Sequence, residues 1–360
     1  MTSIAETGHA RPTVRVDGRQ SALIDANVVA MRMREAVGGL SSLELKVSDW
    51  TSRIDGSADF GFADEAIVKL GAAIKVYTGM TLAPQEIFDG IATALEIEAG
   101  PDAAPTFAVL AEDKLQRARK TRRSRVFENM SPADVVRRIA SDHGLEAQVR
   151  DGLDRPVADW AQVNESDLAF LRRVLDRFDA DLQVVGGALQ AGPRARDPRA
   201  QVELRLGEGL VRARATADLA DQTARVRLSS WDPADGATVD GTAASGELGP
   251  GAGRTGADLL MRAFGDGFPE HVGHQGPMRQ EEADALARAL FSKRARRFVR
   301  VDATAQGDAR LRVGTWITLA GVNRLFEGRF VVTEACHRFD LTHGYMTDVI
   351  AEGAYLGVPS

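Results

Sequence analysis

The sequence predicts a mainly β chain in which two copies of one β-rich module flank a small α+β unit. Three observations carry this expectation. An early run reads Gly71-Ala-Ala-Ile-Lys-Val-Tyr, Ile87-Phe88-Asp89-Gly90, Ile91-Ala-Thr-Ala-Leu-Glu-Ile and Pro105-Thr-Phe-Ala-Val-Leu-Ala-Glu112. A late run has the same grammar: Gly314-Thr-Trp-Ile-Thr-Leu, Leu325-Phe326-Glu327-Gly328, Phe330-Val-Val-Thr-Glu-Ala and Tyr345-Met-Thr-Asp-Val-Ile-Ala-Glu352. Each run alternates apolar and polar residues over short strands joined by turns, and a repeat seen once in each half points to duplication. Between the two runs the pattern changes from period two to helical spacing.

A chain of 360 residues is long enough for two or three domains. Apolar content of 44% and charged content of 27% are those of an ordinary globular chain. A net charge of −6 argues against the whole molecule acting as an electrostatic binder of nucleic acid. The one cysteine, Cys336, excludes an intrachain disulfide, and its place in an apolar strand run predicts a core position. No charged-then-apolar leader is evident at the N-terminus, and no apolar run reaches the roughly 18 residues of a membrane span. Synthesis and folding in the cytoplasm are therefore expected.

Residues 1–10 are polar and are expected to be loose. Val14-Arg-Val16 precedes a turn at Asp17-Gly18, and Leu40 to Val47 alternates as a half-buried strand. Val28 to Ala36 is ambiguous, alternating in part yet rich in Met, Arg and Glu. Lys114 to Arg125 is the most basic stretch, and without interleaved aromatics it reads better as a solvated connector paired with acids than as a phosphate-facing patch. Ser131-Pro132-Ala133-Asp134 starts a helix whose stripe is Val135, Val136, Ile139 and Ala140, with Gly144 as its stop. A second helix starts near Asn164-Glu165-Ser166-Asp167, with Leu168, Leu171, Leu175 and Phe178 facing a core. A hairpin turns at Gly186-Gly187. Strand alternation resumes at Val202–Leu206 and Ala224–Leu228. Residues 235–278, rich in Gly, Ala, Asp and Thr, are expected to be mobile or extended. Glu281 to Arg297 is a helix with acids first and bases last. The expected domains are 1–113, 114–195 and 196–360, the last interrupted at about 241–297.

No catalytic constellation emerges. His271 and His274 are close, but no Cys or Glu stands at metal-ligand spacing beside them. Gly249-Pro-Gly-Ala-Gly-Arg-Thr255 lacks the lysine and spacing of a phosphate loop. The pairs Asp154 with Asp159 and Asp232 with Asp235 read as turn residues before they read as glycosidase acids. No catalytic, cofactor-binding or metal residues are assigned, and a non-enzymatic chain is expected.

Several segments together resemble the late control protein D family, the baseplate hub of contractile phage tails and phage-tail-like injection systems, which also forms the hub part of valine-glycine repeat spike proteins. Phe88-Asp-Gly90 to Ala94-Leu-Glu-Ile is similar to that family's F-x-G-x-V-x-x-L-E segment. Asp113-Lys-Leu-Gln-Arg117 and Arg122-Arg123-Ser-Arg125-Val-Phe127-Glu-Asn-Met-Ser131 resemble its basic crossing into the α+β unit. Gln162-Val-Asn164-Glu165-Ser166-Asp167-Leu168-Ala-Phe170-Leu171-Arg172-Arg173 resembles its Q-x-N-E-S-D-x-x-F-L-x-R signature, the most specific of these motifs. Gly307-Asp308-Ala-Arg310 through Gly314 to Gly328–Thr333 resembles its second barrel.

The resemblance implies two similar β-barrel hub domains separated by the α+β unit. It implies a homotrimer whose six barrels make a pseudo-sixfold ring, adapting the sixfold tail tube to a threefold central spike. The implied partners are a separate trimeric spike protein (the chain ends soon after its last strand), a tail tube or tube-initiator protein, baseplate wedge proteins and a tape-measure protein. Within the signature, Asn164 is expected to cap the helix and Asp167 to accept backbone N–H groups. The alternatives are a tail-associated cell-wall hydrolase and a spike carrier with nucleic-acid contacts in its lumen. Assembly into the baseplate of a phage tail or phage-tail-like particle follows from either hub reading.

Overall fold

A computed structural model of the chain describes residues 11–357 apart from 53–57, 63–64, 79–83 and 274. The expectation for residues 1–10 and the position of His274 lie outside the described residues. The first barrel comprises β1 (Thr13–Val16), β2 (Val28–Ala36), β3 (Ser42–Ser48), β4 (Ala73–Tyr77), β5 (Glu86–Gly100) and β6 (Ala103–Asp113), with a short helix α1 (Ala22–Asn27) before β2. Strict alternation explains these strands. In β3, Leu43, Leu45 and Val47 are buried while Glu44 points outward. The ambiguity at Val28–Ala36 resolves as strand, with Met31 and Met33 in the core.

The α+β unit follows, with α2 (Gln116–Lys120), β7 (Arg122–Met130), α3 (Pro132–Asp142), β8 (Glu146–Val149), β9 (Ala158–Ser166), α4 (Asp167–Asp176), β10 (Ala180–Val185) and β11 (Ala188–Pro193). Ser131 and Asp134 form a reciprocal capping box that opens α3. Its stripe of Val135, Val136, Ile139 and Ala140 is buried, as are Leu168, Leu171 and Leu175 of α4. Each of these valine, isoleucine and leucine side chains contributes about 1.5–3 kcal/mol by leaving water. Phe127 stacks on Phe170 at 5.2 Å in the same core. The predicted hairpin joins β10 to β11 through Gly186 and Gly187, both at positive φ.

The second barrel comprises β12 (Gln201–Leu206), β13 (Gly209–Ala217), β17 (Val299–Gln306), β18 (Trp316–Ala320), β19 (Gly328–Asp340) and β20 (Gly344–Gly353). Between β13 and β17 lies an insertion of β14 (Val226–Asp232), β15 (Ala237–Ala243), α5 (Gly256–Phe264), β16 (Glu270–Val272) and α6 (Gln280–Arg296). The insertion starts directly after β13, so Ala224–Leu228 belongs to it and not to the barrel. Nor are residues 235–278 extended: β14, β15 and β16 form one sheet, whose Val226, Leu228 and Val239 pack with Leu286, Ala287 and Phe291 of α6. Small residues allow the helix to lie close on this sheet. A Cβ at Gly241 would stand 2.5 Å from the Ala283 carbonyl oxygen.

The two barrels share one strand order. In the first it is β1-β4-β5-β6-β3-β2, and in the second β12-β18-β19-β20-β17-β13. A two-residue contact, Arg205 with Gly209 and Leu206 with Leu210, brings β12 back to β13 and closes the second barrel. One difference is the direction of the first strand, with β1 antiparallel to β4 but β12 parallel to β18.

Register shows how deep the equivalence runs. Gly71 and Gly314 stand at φ +84° and +83°, a conformation that favours glycine. Their amides donate to Ala92 and Val332, whose own amides return to Ala72 and Thr315. One residue further, β5 and β19 each carry a bulge, at Thr93 and Thr333, and both hydroxyls donate at 3.3 Å to the facing strand, at Leu110 and Ile350. β2 and β13 are likewise bulged at matching places, between Val28 and Ala30 and between Leu210 and Arg212. The shared tripeptide does not follow this register. Phe88-Asp89-Gly90 is equivalent to Gly328-Arg329-Phe330, because Phe88 faces Val76 where Gly328 faces Leu319, and Gly90 faces Ile74 where Phe330 faces Ile317. Ring and glycine have exchanged places.

Candidate functional site

β2 of the first barrel pairs antiparallel with β19 of the second, from Ala30 opposite Asp340 to Ala36 opposite Glu334. This seam fuses both barrels into a 13-stranded sheet. Alternation along β2 puts Met31, Met33 and Glu35 inward and Arg32 and Arg34 outward. Glu35 is therefore a carboxylate on the apolar phase. Its Oε2 accepts from Arg312 Nη2 at 2.6 Å and its Oε1 from the Val313 amide at 2.6 Å. Burial alone would raise this carboxyl, but Arg312, Arg199 and the Val313 amide hold it below the usual range. His337, also wholly buried, places Nδ1 2.8 Å from the Tyr345 hydroxyl and 3.2 Å from the Thr347 hydroxyl. Burial, reinforced by Arg312, pushes this imidazole down to about 4, so it is neutral.

The outward phase of the seam makes a concave face of about 810 Å³. Arg32, Arg34, Arg212, Arg214 and Arg338 line it, with Asp302, Glu334 and Asp348 between them. Arg338 Nε donates to Asp348 at 2.8 Å, and the Thr304 hydroxyl donates to the same carboxylate at 2.7 Å. Cys336 lies half-buried on this face, not in the core, because it shares the outward phase of β19 with Arg338. Burial raises its thiol despite the nearby Arg34. The face offers paired charges on a rigid sheet, suited to polar contact with a surface.

A second cluster is built by the signature motif. Ser166, not Asn164, caps α4, its hydroxyl accepting from the Ala169 amide at 3.2 Å. Asn164 instead takes a φ of +48° at the end of β9, where its short amide side chain is tolerated. Asp167 accepts from side chains: Arg125 Nη2 and Gln162 Nε2 at 2.9 Å each, with His143 Nε2 at 2.8 Å, and Arg123 Nε adds an ion pair at 3.7 Å. Burial opposes its ionisation, yet these partners hold the carboxyl low. Within the basic stretch Arg123 and Arg125 are thus engaged by acids, as are Lys114 on Asp89 and Arg119 on Glu112, while Arg122 donates to the Asn164 carbonyl.

The same motif docks the α+β unit. Arg172 donates from Nε to the Gly38 carbonyl at 2.6 Å and from Nη2 to Gly39 at 2.9 Å. Asp181 accepts the Gly38 amide at 2.6 Å, and Gln183 donates to the Ala36 carbonyl at 2.9 Å. From the other side, Arg296 meets Asp179 at 2.6 Å and Lys293 meets Asp176 at 2.6 Å. Sequence reasoning gave no role to Glu35 or Arg312, and none to Arg172 although it stands within the signature. The available signal for Glu35 was a charge on the inward phase of Met31-x-Met33-x-Glu35.

The paired carboxylates are only partly turn residues: Asp154 lies in a bend and Asp235 in a turn, whereas Asp159 is in β9 and Asp232 ends β14. Asp159 accepts the Asn129 amide at 2.7 Å, Asp154 is exposed beside Arg137, and Asp232 accepts the Ala234 amide at 2.9 Å. The Gly249–Thr255 run leads into α5, whose N-terminus is already occupied by the Thr255–Asp258 capping box. His271 lies in β16. Among the described residues no helix is long and apolar enough to cross a membrane.

Solved structures share this fold at low identity. The 43 kDa tail protein of prophage MuSo2 from Shewanella oneidensis is 13% identical, with a TM-score of 0.70 over 95% of this chain and 97% of its own. A tail protein from Neisseria meningitidis MC58 is 10% identical, with a TM-score of 0.69 over 96% and 99%. An Escherichia coli component of the type VI secretion system, itself similar to the T4 bacteriophage tail proteins gp27 and gp5, is 11% identical, with a TM-score of 0.61 over 96% and 79%. The fold is that of phage tail and injection-system proteins, as the resemblance implied. No curated protein matches the chain. The family model of the Alg8 N-terminal domain matches residues 6–340.

Proposed function

The chain belongs to the Alg8 N-terminal domain family, and from that premise we propose that it is a structural baseplate hub. Three copies form a pseudo-sixfold ring that joins a sixfold tail tube to a threefold spike, in a contractile tail or injection system. The observation that carries this reading is the repeated strand order of two barrels joined through one sheet. A tube of identical subunits needs a like surface six times, and a trimeric spike needs threefold contacts. A duplicated module in a cyclic trimer supplies both.

The barrels, within residues 1–113 and 196–360 and the second interrupted by the insertion after β13, are the ring segments, and 114–195 is a strut held by Arg172 and Asp181. The role is non-enzymatic. The chain is made in the bacterial cytoplasm and assembled with a separate trimeric spike protein, a tube or tube-initiator protein, wedge proteins and a tape-measure protein. The native mass of the purified protein, with averaged images of tail particles, tests the reading. Three chains in a ring between tube and spike are expected. A chain that is monomeric both in solution and in particles overturns it.

A further inference from the structure

Among the described residues each barrel has a long stretch of strand that is paired on one side only. β4 covers β5 only as far as Ile91 and Ala92, so residues 94–100 pair with β6 alone. β12 touches β13 only at Gly209 and Leu210, so residues 211–217 pair with β17 alone. Open edges of this length invite another strand.

These edges are the equivalents of the two that already meet in the seam. The shared bulges put Leu95, Ile97 and Glu98 of β5 where β19 has Ala335, His337 and Arg338. They put Arg214, Ala215 and Ala217 of β13 where β2 has Arg32, Met33 and Glu35. Exposure differs at these matched positions as a missing neighbour requires. Ile97 is 58% exposed and its equivalent His337 is 0% exposed. Leu70, next to Gly71, is 60% exposed, whereas Val313, next to Gly314, is 2% exposed. Met33 and Glu35 are buried by the seam, while Ala215 and Ala217 stay half-exposed.

We propose that β13 of one molecule adds antiparallel to residues 94–100 of β5 in the next, in the register of the intrachain seam. Glu98 then stands opposite Arg214, Ile97 opposite Ala215 and Ala99 opposite Ala213. Charge favours this occupant over an unrelated strand. Glu96 and Glu98 lie on one edge, Arg212 and Arg214 on the other, and the seam assigns both pairs to the concave face. In the single chain Glu98 is engaged by Lys46 at 2.8 Å, and Arg214 faces Asp302. The contact joins unlike surfaces, so repetition closes a ring only at a fixed angle. This pairing rests on the ring reading above and assigns its interface.

The test uses the full chain carrying Cys336→Ser. Ala99→Cys with Ala213→Cys should give a disulfide-linked multimer on oxidation. Ala99→Cys with Arg214→Cys should not, because a one-residue shift turns the side chain to the other face. Glu98→Arg should lose the multimer by native mass, and adding Arg214→Glu should restore it. A wild-type ring with no Ala99–Ala213 link and no charge-swap rescue overturns this register while the ring stands. A protein monomeric in particles overturns both.

Discussion

At the scale of single residues, a steric exchange and two buried titrating groups decide most. A Cβ at Gly90 would stand 2.3 Å from the Glu112 carbonyl oxygen and 2.5 Å from Phe88 Cζ. Gly90→Ala is expected to destabilise the chain by about 1–3 kcal/mol through overpacking, read as a lower urea midpoint, with Phe88→Leu in the same chain recovering part of it. His337 and Asp113 act in opposite directions. The His337 imidazole, ordinarily near 6.5, titrates at about 4 when folded, so its stability is complete above 6.5 and is lost as pH falls toward 4. Burial raises the Asp113 carboxyl from 3.8 to about 6, so its share is present below 3.8 and is lost as pH rises through 6. Each amounts to about 3 kcal/mol at most, and between pH 6 and 4 they offset one another. The native chain should therefore change little over that interval, whereas His337→Gln should gain stability on acidification. Urea midpoints at pH 7 and 4.5 check this; the same response in both proteins would remove His337 from the account.

At the scale of elements, the seam between β2 and β19 depends on a buried ion pair. Glu35→Ala leaves Arg312 without its carboxylate in the interior and is expected to cost about 3–5 kcal/mol. Glu35→Gln keeps an acceptor for the Val313 amide and should cost less, a difference that thermal melts resolve. Much of this level was legible in the residues. Gly71 and Gly314 mark the same turn, Pro105–Glu112 matches Tyr345–Glu352 in register, and Ser131, Gly186 and Gly187 act as their chemistry predicts. The failures have physical causes. The tripeptides Phe88-Asp-Gly90 and Phe326-Glu-Gly328 share composition, but composition does not fix register when side chains alternate with period two. Residues 235–278 looked open because Gly and Ala carry little apolar area, yet small residues are what let α6 lie on β14 and β15. Ser166 and Asn164 are both good caps, and only the backbone turn at Asn164 decides between them.

At the scale of the whole molecule, the two barrels, the α+β unit and the insertion are tied together by side chains reaching backbone. Arg172 grips the β2–β3 turn, and Arg296 and Lys293 of α6 hold the far side of the same unit. The concave face was not legible from sequence, because its arginines come from strands more than 100 residues apart that only the seam brings together. The exchange of ring and glycine has a genetic consequence. Two related stretches in one gene can recombine. A strand spliced between Asp89 and Phe330 would carry both rings, Phe88 and Phe330, and one spliced between Arg329 and Gly90 would carry neither. The first is overfilled and the second hollow, so either crossover product folds poorly. At this pair of positions, therefore, neither strand can stand in for the other.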